Sequence, residues 1–119
     1  MSRVSPFADG GEAVGKEKSI EQKLVRAVKG RGGICPKLVC PGFDGMPDRL
    51  VLLPCGRMGF VEVKAPGEMP RPLQTVRHRL LRRLGFKVYV LDRGEDIPRI
   101  LDGIGDKNGN IDNAAGRLE

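Results

Sequence analysis

The feature that most constrains the fold is a strand–turn–strand pattern between Asp48 and Lys64. Residues 48–53 (DRLVLL) and 58–64 (MGFVEVK) are short and rich in the Val, Leu and Phe side chains that strands favour. The link 54–57 is short and contains Gly56, which suits a hairpin turn. The sequence therefore predicts two antiparallel strands joined by a tight connection.

Polar side chains share one face of this predicted hairpin. Glu62 and Lys64 are two residues apart and therefore project together, with valines on the other side of the strand. A turn centred near Gly56 places position 48 opposite 64 and position 50 opposite 62, so Asp48 joins the same face. A slip of one residue would move Asp48 to the opposite face, so the prediction depends on the register.

Two carboxylates and an ammonium group in one place have a specific chemistry. A Glu–Lys pair alone is usually part of a solvated face. Adjacent carboxylates repel each other unless a cation lies between them, and Mg²⁺ prefers oxygen ligands. A nearby lysine can position the attacking water and offset phosphate charge. Asp48, Glu62 and Lys64 are therefore candidates for phosphodiester hydrolysis.

Helices and further strands flank the hairpin. Ser19 and Gln22 resemble a capping box that starts a helix over 20–29, which ends at the glycine-rich stretch 30–33. The remaining predicted elements are a strand at 34–39, a helix at 73–84, a strand at 86–91 and a helix at 96–104. The order αβββαβα predicts an α/β domain with a mixed sheet.

The two longer predicted helices differ in their apolar faces. Glu21 falls inside the apolar stripe of the first helix, where a buried carboxylate needs a partner. The leucines of helix 73–84 are expected to face the core, and its arginines and His78 to face solvent. The expected core face of that helix consists of Leu73, Val76, Leu80, Leu81 and Leu84.

Length, charge and composition narrow the class of protein. The 119 residues suit one domain, here 19–104, between a flexible segment 1–18 and a flexible tail 105–119. A net charge of +6 favours a nucleic-acid partner. Three cysteines without a C-x-x-C pair argue against disulfides and zinc. The sequence has no apolar run long enough for a membrane span and no signal peptide, so we predict a cytoplasmic protein. We also expect no small-molecule cofactor.

Four sequence elements, in this order and spacing, resemble the VRR-NUC domain of the PD-(D/E)xK nuclease superfamily. They are Gly45-Met46-Pro47-Asp48, then Glu62-Val63-Lys64 within FVEVKAPG, then Pro72-Leu73-Gln74 at the start of a helix that carries arginines, and the acidic Glu21 on the first helix. The resemblance covers roughly residues 19–103. It implies a restriction-endonuclease-like αβββαβ core with a mixed central sheet flanked by helices.

The same resemblance implies a role for each of these residues. Asp48 and Glu62 would ligate Mg²⁺ or Mn²⁺ beside the backbone carbonyl of Val63, and Lys64 would position the water. Gln74 would orient Lys64 or the water. Glu21 would bind a second metal or its water.

The nucleic-acid contacts and the competing functions are less constrained by the sequence. Arg77, Arg82 and Arg83 are candidates for a DNA-facing patch, although a solvated helix face accounts for them equally well. One alternative is a nucleic-acid-binding module without catalysis, in which the acid–lysine cluster is structural. Another is a protein whose basic face binds an acidic partner. The resemblance favours a DNA endonuclease that acts as a homodimer on branched DNA such as Holliday junctions.

Overall fold

The computed structural model describes the backbone of residues 8–106 and the side chains of residues 15–106. Within these residues there are three helices, three strands and two short 3₁₀ turns. In chain order they are α1 (Ala8–Gly30), β1 (Arg49–Leu53), a 3₁₀ turn (Pro54–Gly56), β2 (Arg57–Val63), α2 (Pro72–Arg83), β3 (Val88–Leu91), a 3₁₀ turn (Gly94–Asp96) and α3 (Ile97–Gly105).

The sheet is mixed, with β2 at its centre. β1 pairs antiparallel with β2, and β2 pairs parallel with β3. The parallel pair requires a crossover, which α2 provides. The predicted α/β class with a mixed sheet and flanking helices is therefore confirmed.

Alternation along β2 divides the interior into two clusters. Val61 and Val63 pack in the larger cluster with side chains of α1 and α3. Phe60 faces the other way and packs with Leu81 of α2 and Val88. Since Glu62 has the same parity as Phe60, its side chain lies between the sheet and α2.

The first helix is longer than the sequence predicted. It begins at Ala8, so Ser19 lies within the helix and the predicted capping box is wrong. Lysine and glutamate at 16–18 are good helix formers, and nothing in that stretch stops the helix. The apolar stripe of this helix contains Ile20, Leu24 and Val28, and all three are buried. Residues 1–7 lie outside the described part of the chain.

The strand predicted at 34–39 is not formed, and the segment is an extended edge segment beside β1. Only two isolated bridges join it to β1, Ile34 with Leu52 and Lys37 with Arg49. Between them the carbonyl of Pro36 accepts a hydrogen bond from the Leu50 N–H. Proline has no N–H to return, so the ladder is interrupted where the two bridges would have joined.

The orientation of α2 also differs from the prediction. Its buried residues are Gln74, His78 and Leu81, while Leu73, Val76 and Leu84 are 44%, 50% and 63% exposed. The expected leucine-rich core face therefore lies largely on the surface. The expected solvent exposure of His78 is also wrong, since that side chain is 2% exposed.

Cys35, Cys40 and Cys55 are all free thiols, and only Cys35 is buried. In the part of the chain that the structure describes, none of the helices combines the length and the apolar character of a membrane crossing. The predicted tail falls mostly on residues 107–119, outside the described residues.

Gly33 brings the edge segment so close to β1 that a larger residue at this position should destabilise the fold. A Cβ at this position would clash with the carbonyl oxygen of Leu52, which accepts the Ile34 N–H, and would lie 3.1 Å from side-chain atoms of Leu53 and Val28. We expect Gly33→Ala to lower the free energy of unfolding by about 1–3 kcal/mol, because backbone must move. Urea denaturation measures this loss.

Gly30→Ala is the matched control for this prediction. A Cβ at Gly30 meets nothing within 4 Å, and the residue belongs to the last turn of α1. Its free energy of unfolding should stay unchanged or rise slightly, since alanine favours helix over glycine. Equal stabilities of the two variants would contradict the close approach at Gly33.

Candidate active site

The hairpin register places Asp48 beside Glu62. The structure pairs Leu50 with Phe60 and Arg49 with Val61, whereas the sequence predicted position 50 opposite 62. The slip is two residues, so every side chain keeps its face. Asp48 is therefore next to Glu62 rather than Lys64, and its Oδ2 accepts the Val63 N–H at 2.9 Å.

The loop before β1 fixes the position of Asp48. Gly45 has a φ of +92°, and a Cβ there would lie 2.9 Å from the Leu73 side chain of α2, so only glycine allows the loop this path beneath the helix. Pro47 is fully buried. The Asp48 carbonyl accepts the Leu38 N–H from the edge segment at 2.8 Å.

The carboxylate of Glu62 is buried beneath α2. The Gln74 side-chain amide donates to Glu62 Oε2 at 2.8 Å, and the ammonium of Lys64 lies 3.6 Å from the same oxygen. His78 Nε2 lies 3.5 Å from Oε1 without forming a hydrogen bond. Only 1% of the Glu62 side chain is exposed, so this Glu–Lys pair is not part of a solvated face.

Gln74 has a different contact from the one that the family resemblance implied. Its side-chain oxygen accepts the Arg71 N–H at the start of α2, and its amide holds Glu62. Neither of these two hydrogen bonds involves Lys64. Gln74 thus links the beginning of α2 directly to the carboxylate on β2.

Charge and burial together shift the acidity of Asp48. Burial, followed by the negative charge of Glu62, raises the pKa of the Asp48 carboxyl from 3.8 to about 6, against the lowering effect of the Val63 N–H. Glu17 on α1 adds a further repulsive contribution. The negative charge of Glu62 therefore lies close enough to Asp48 to oppose the ionisation of the Asp48 carboxyl.

Glu21 does not join this group. Its Oε2 accepts a hydrogen bond from Arg49 Nε at 2.9 Å, and the Arg49 guanidinium also donates to the Cys35 carbonyl at 2.8 Å. The carboxylate in the apolar stripe of α1 therefore has the partner that its position requires, and that partner is an arginine.

The arginines of α2 differ in what they contact. Arg77 donates to the Asp44 carbonyl at 2.8 Å and stacks over the Phe43 ring at 3.8 Å. Arg82 donates to the Val88 carbonyl at 2.8 Å, and burial lowers its pKa. Both hold loops or strands of their own chain. Arg83 is exposed.

Reasoning from the sequence missed two residues of this site. His78 follows Gln74 by four residues, so both lie on the same face of α2 over Glu62. Glu17 precedes Glu21 by four residues and is the α1 carboxylate that acts on Asp48. Both residues lie one helical turn from a residue that the sequence did single out, Gln74 or Glu21. Choosing them required the orientation of each helix, which the sequence does not give.

A divalent cation fits the chemistry of these side chains. Oε1 of Glu62 is buried without a hydrogen-bond partner, and the neighbouring Asp48 resists ionisation beside it. Among the described side chains, no group of three His, Cys, Asp or Glu residues could hold a metal. Two carboxylates suffice for Mg²⁺, which keeps several waters and needs few protein ligands.

The repulsion at Asp48 predicts a pH-dependent stability in the absence of metal. A pKa raised from 3.8 to about 6 makes the contribution of this carboxyl fully favourable below about pH 3.8, and that contribution is lost as the pH rises through about 6. Asp48→Asn lacks the charge but keeps an oxygen for the Val63 N–H. In EDTA, the Tm of Asp48→Asn minus that of the wild type should increase from pH 4 to pH 7. A difference that is flat across this range would contradict the raised pKa.

Two comparisons with known proteins agree with this geometry. No family model matches the chain. The chain is 51% identical over 89 residues to "Putative nuclease p44" of Acyrthosiphon pisum secondary endosymbiont phage 1, an alignment that covers 75% of this chain and 95% of the phage protein.

A solved structure described as a VRR_NUC domain superposes with a TM-score of 0.69 and 31% identity. The superposition covers 73% of this chain and 95% of the solved one. The sequence motif, the mixed sheet with its flanking helices and both relatives agree, and the chain belongs to the VRR-NUC nuclease family.

Proposed function

We propose that this nuclease hydrolyses phosphodiester bonds of DNA with Mg²⁺ or Mn²⁺. The observation that carries the proposal is the pair of carboxylates of Asp48 and Glu62, which repel each other while one buried oxygen of Glu62 accepts no hydrogen bond. A bound divalent cation would offset the repulsion between the two carboxylates and give the buried Glu62 oxygen a positive partner.

The residues that would hold the ion are Asp48, Glu62 and the backbone carbonyl of Val63. For the α1 carboxylate that would bind a second metal or its water, we propose Glu17 in place of Glu21. Glu21 is ion-paired with Arg49, whereas the charge of Glu17 raises the pKa of Asp48. When bound, the ion supplies Lewis-acid stabilisation of charge on the phosphate.

Lys64 and Gln74 would serve the reaction in different ways. The side chain of Lys64 is 15% exposed, and its ammonium lies 3.6 Å from the Glu62 carboxylate, so it can position the attacking water and offset charge on the phosphate. Gln74 fixes the orientation of Glu62 through its hydrogen bond, rather than that of Lys64. α2 therefore sets the direction in which the carboxylate of β2 presents its oxygens.

DNA as the substrate agrees with the charge of the chain. The net charge is +6, which attracts a polyanion. A module that only bound nucleic acid would gain nothing from acidic side chains gathered on one face, because they repel phosphate. The site thus favours catalysis over binding alone.

The direct test is a cleavage assay on plasmid and synthetic DNA with Mg²⁺ or Mn²⁺, with EDTA as the metal-free condition. We expect cleavage that EDTA abolishes, and we expect Glu62→Gln to lose at least about a hundredfold in rate, or roughly 2.7 kcal/mol of barrier. Glutamine keeps the shape of the buried side chain, and a thermal melt checks that the fold persists.

Glu95→Gln is the matched control, since Glu95 is an exposed carboxylate in the 3₁₀ turn 94–96. It should cleave at the wild-type rate. A folded Glu62→Gln variant with full activity would refute the site assignment. A wild type that binds DNA yet never cuts it would favour the non-catalytic binding module.

A second part of the proposal is a homodimer. The sequence showed no apolar stripe free for an interface, because the leucines of α2 were expected in the core. The structure instead leaves Leu73, Val76 and Leu84 on the surface, at the helical spacing of a contact face. One copy offers one site, and two matched cuts in a symmetric branched DNA need two sites related by a two-fold axis.

Sedimentation at micromolar concentration tests the dimer and the surface together. We expect the mass of two chains for the wild type and a shift towards the monomer for Val76→Glu, which introduces a charge into the α2 stripe. Val39→Glu is the control, because Val39 is 74% exposed but belongs to the edge segment. A monomeric wild type would contradict the dimer.

The preference for branched DNA is tested separately by the rate of paired nicking. We propose faster cutting of a synthetic four-way junction than of a linear duplex with the same sequence. Equal rates would count against the preference. The cytoplasmic location, in a bacterial or phage-infected cell, stays a prediction.

A further inference from the structure

A groove rich in cations runs between α1 and the edge segment. Its walls include Lys18, Gln22 and Arg26 of α1 and Lys37 of the edge segment, and the Glu21–Arg49 pair also lines it. We call these residues the basic groove. Lys18, Gln22 and Arg26 are spaced by four residues, so they lie in one line along the helix surface.

The cations of the basic groove are mostly free to bind an external anion. Arg49 is neutralised by Glu21 at 2.9 Å. Lys18, Arg26 and Lys37 are exposed, and none of them takes part in an ion pair within the described residues. The groove therefore has three unneutralised positive charges around an internal Arg–Glu pair.

The basic groove lies close to the candidate active site. Arg49, which lines the groove, directly follows Asp48, so the groove and the two carboxylates lie on opposite faces of the sheet at the start of β1. Lys37 is the bridge partner of Arg49, and the two side chains share the groove face. Lys18 directly follows Glu17, the α1 residue whose charge acts on Asp48. A polyanion that lies in the groove and passes the start of β1 would thus reach the carboxylates of the site.

The arginines of α2 are a weaker candidate for this contact. Arg77 and Arg82 are engaged with the Asp44 and Val88 carbonyls, and Arg77 also stacks on Phe43. Using them for DNA would break these internal contacts. The basic groove needs no such rearrangement.

We propose that the basic groove binds the phosphate backbone of the DNA strand that enters the active site. The inference rests on the proposed nuclease function and names the surface that holds the substrate. Lys18 and Arg26 are ~12 Å apart along the helix axis. Phosphates of one strand follow each other every ~3.4 Å of duplex axis, so with α1 laid along the duplex this span would cover about three to four successive phosphates.

The test compares the salt dependence of DNA binding in two triple variants of the full chain. The groove triple is Lys18→Gln, Arg26→Gln and Lys37→Gln. The control triple is Arg79→Gln, Arg83→Gln and Arg93→Gln, three exposed arginines with no ion pair among the described residues. Both triples remove the same net charge, so a difference between them reports position.

Binding of a labelled duplex is measured by fluorescence anisotropy in Ca²⁺ over a series of monovalent salt concentrations. Each lost phosphate contact should reduce the slope of log K against log salt by about 0.9. We expect the groove triple to lose about two to three units of slope and at least about tenfold in affinity. The control triple should stay near the wild type, and thermal melts should show both triples folded.

Equal changes in the two triples would overturn the proposal, and a larger loss in the control triple would place DNA over the surface of Arg79, Arg83 and Arg93 instead. Failure of the proposed function gives a different result. A wild type that binds DNA with the expected groove dependence but does not cleave it in Mg²⁺ or Mn²⁺ refutes the nuclease mechanism and supports the groove. A wild type that cleaves while the groove triple binds normally refutes the groove alone.

Discussion

Burial of the Glu62 carboxylate governs the arrangement on the α2 side of the sheet. A charged group with 1% of its side chain exposed needs polar partners, because water no longer reaches it. Gln74 provides a hydrogen bond, Lys64 a nearby positive charge and His78 a ring nitrogen that faces the second oxygen. α2 must therefore turn its polar residues inward, and its leucines are left on the outside.

The sequence predicted the hairpin, the mixed sheet and the grouping of Asp48 with Glu62 because these depend on alternation. Side chains on a strand have a period of two, so a register error of two residues leaves the faces unchanged. The actual register pairs Leu50 with Phe60 and not with Glu62, yet both carboxylates still share a side of the sheet. The alternation of side chains was therefore enough to predict that Asp48 and Glu62 share a face. It did not predict that Glu62, rather than Lys64, lies nearest to Asp48.

Tertiary contacts decided what the sequence could not. An apolar stripe on α2 predicts burial, but the buried face is the one that satisfies Glu62, with Gln74 and His78 on it. On α1 the expected metal-binding Glu21 is ion-paired with Arg49, because the edge segment brings Cys35 and β1 alongside the helix. Neither choice follows from helical periodicity, since each depends on the charge of a residue distant in the chain.

The edge segment affects how copies of this chain could meet. A sheet edge with a full row of free N–H and C=O groups is a template for pairing with another molecule, and short edge strands and charged side chains such as lysine oppose such pairing. The segment that covers the outer side of β1 is not a continuous strand, because Pro36 interrupts its ladder with β1, and it carries the exposed Lys37. Growth of the sheet by adding strands from other molecules is therefore disfavoured at this edge, which protects the chain from aggregation there.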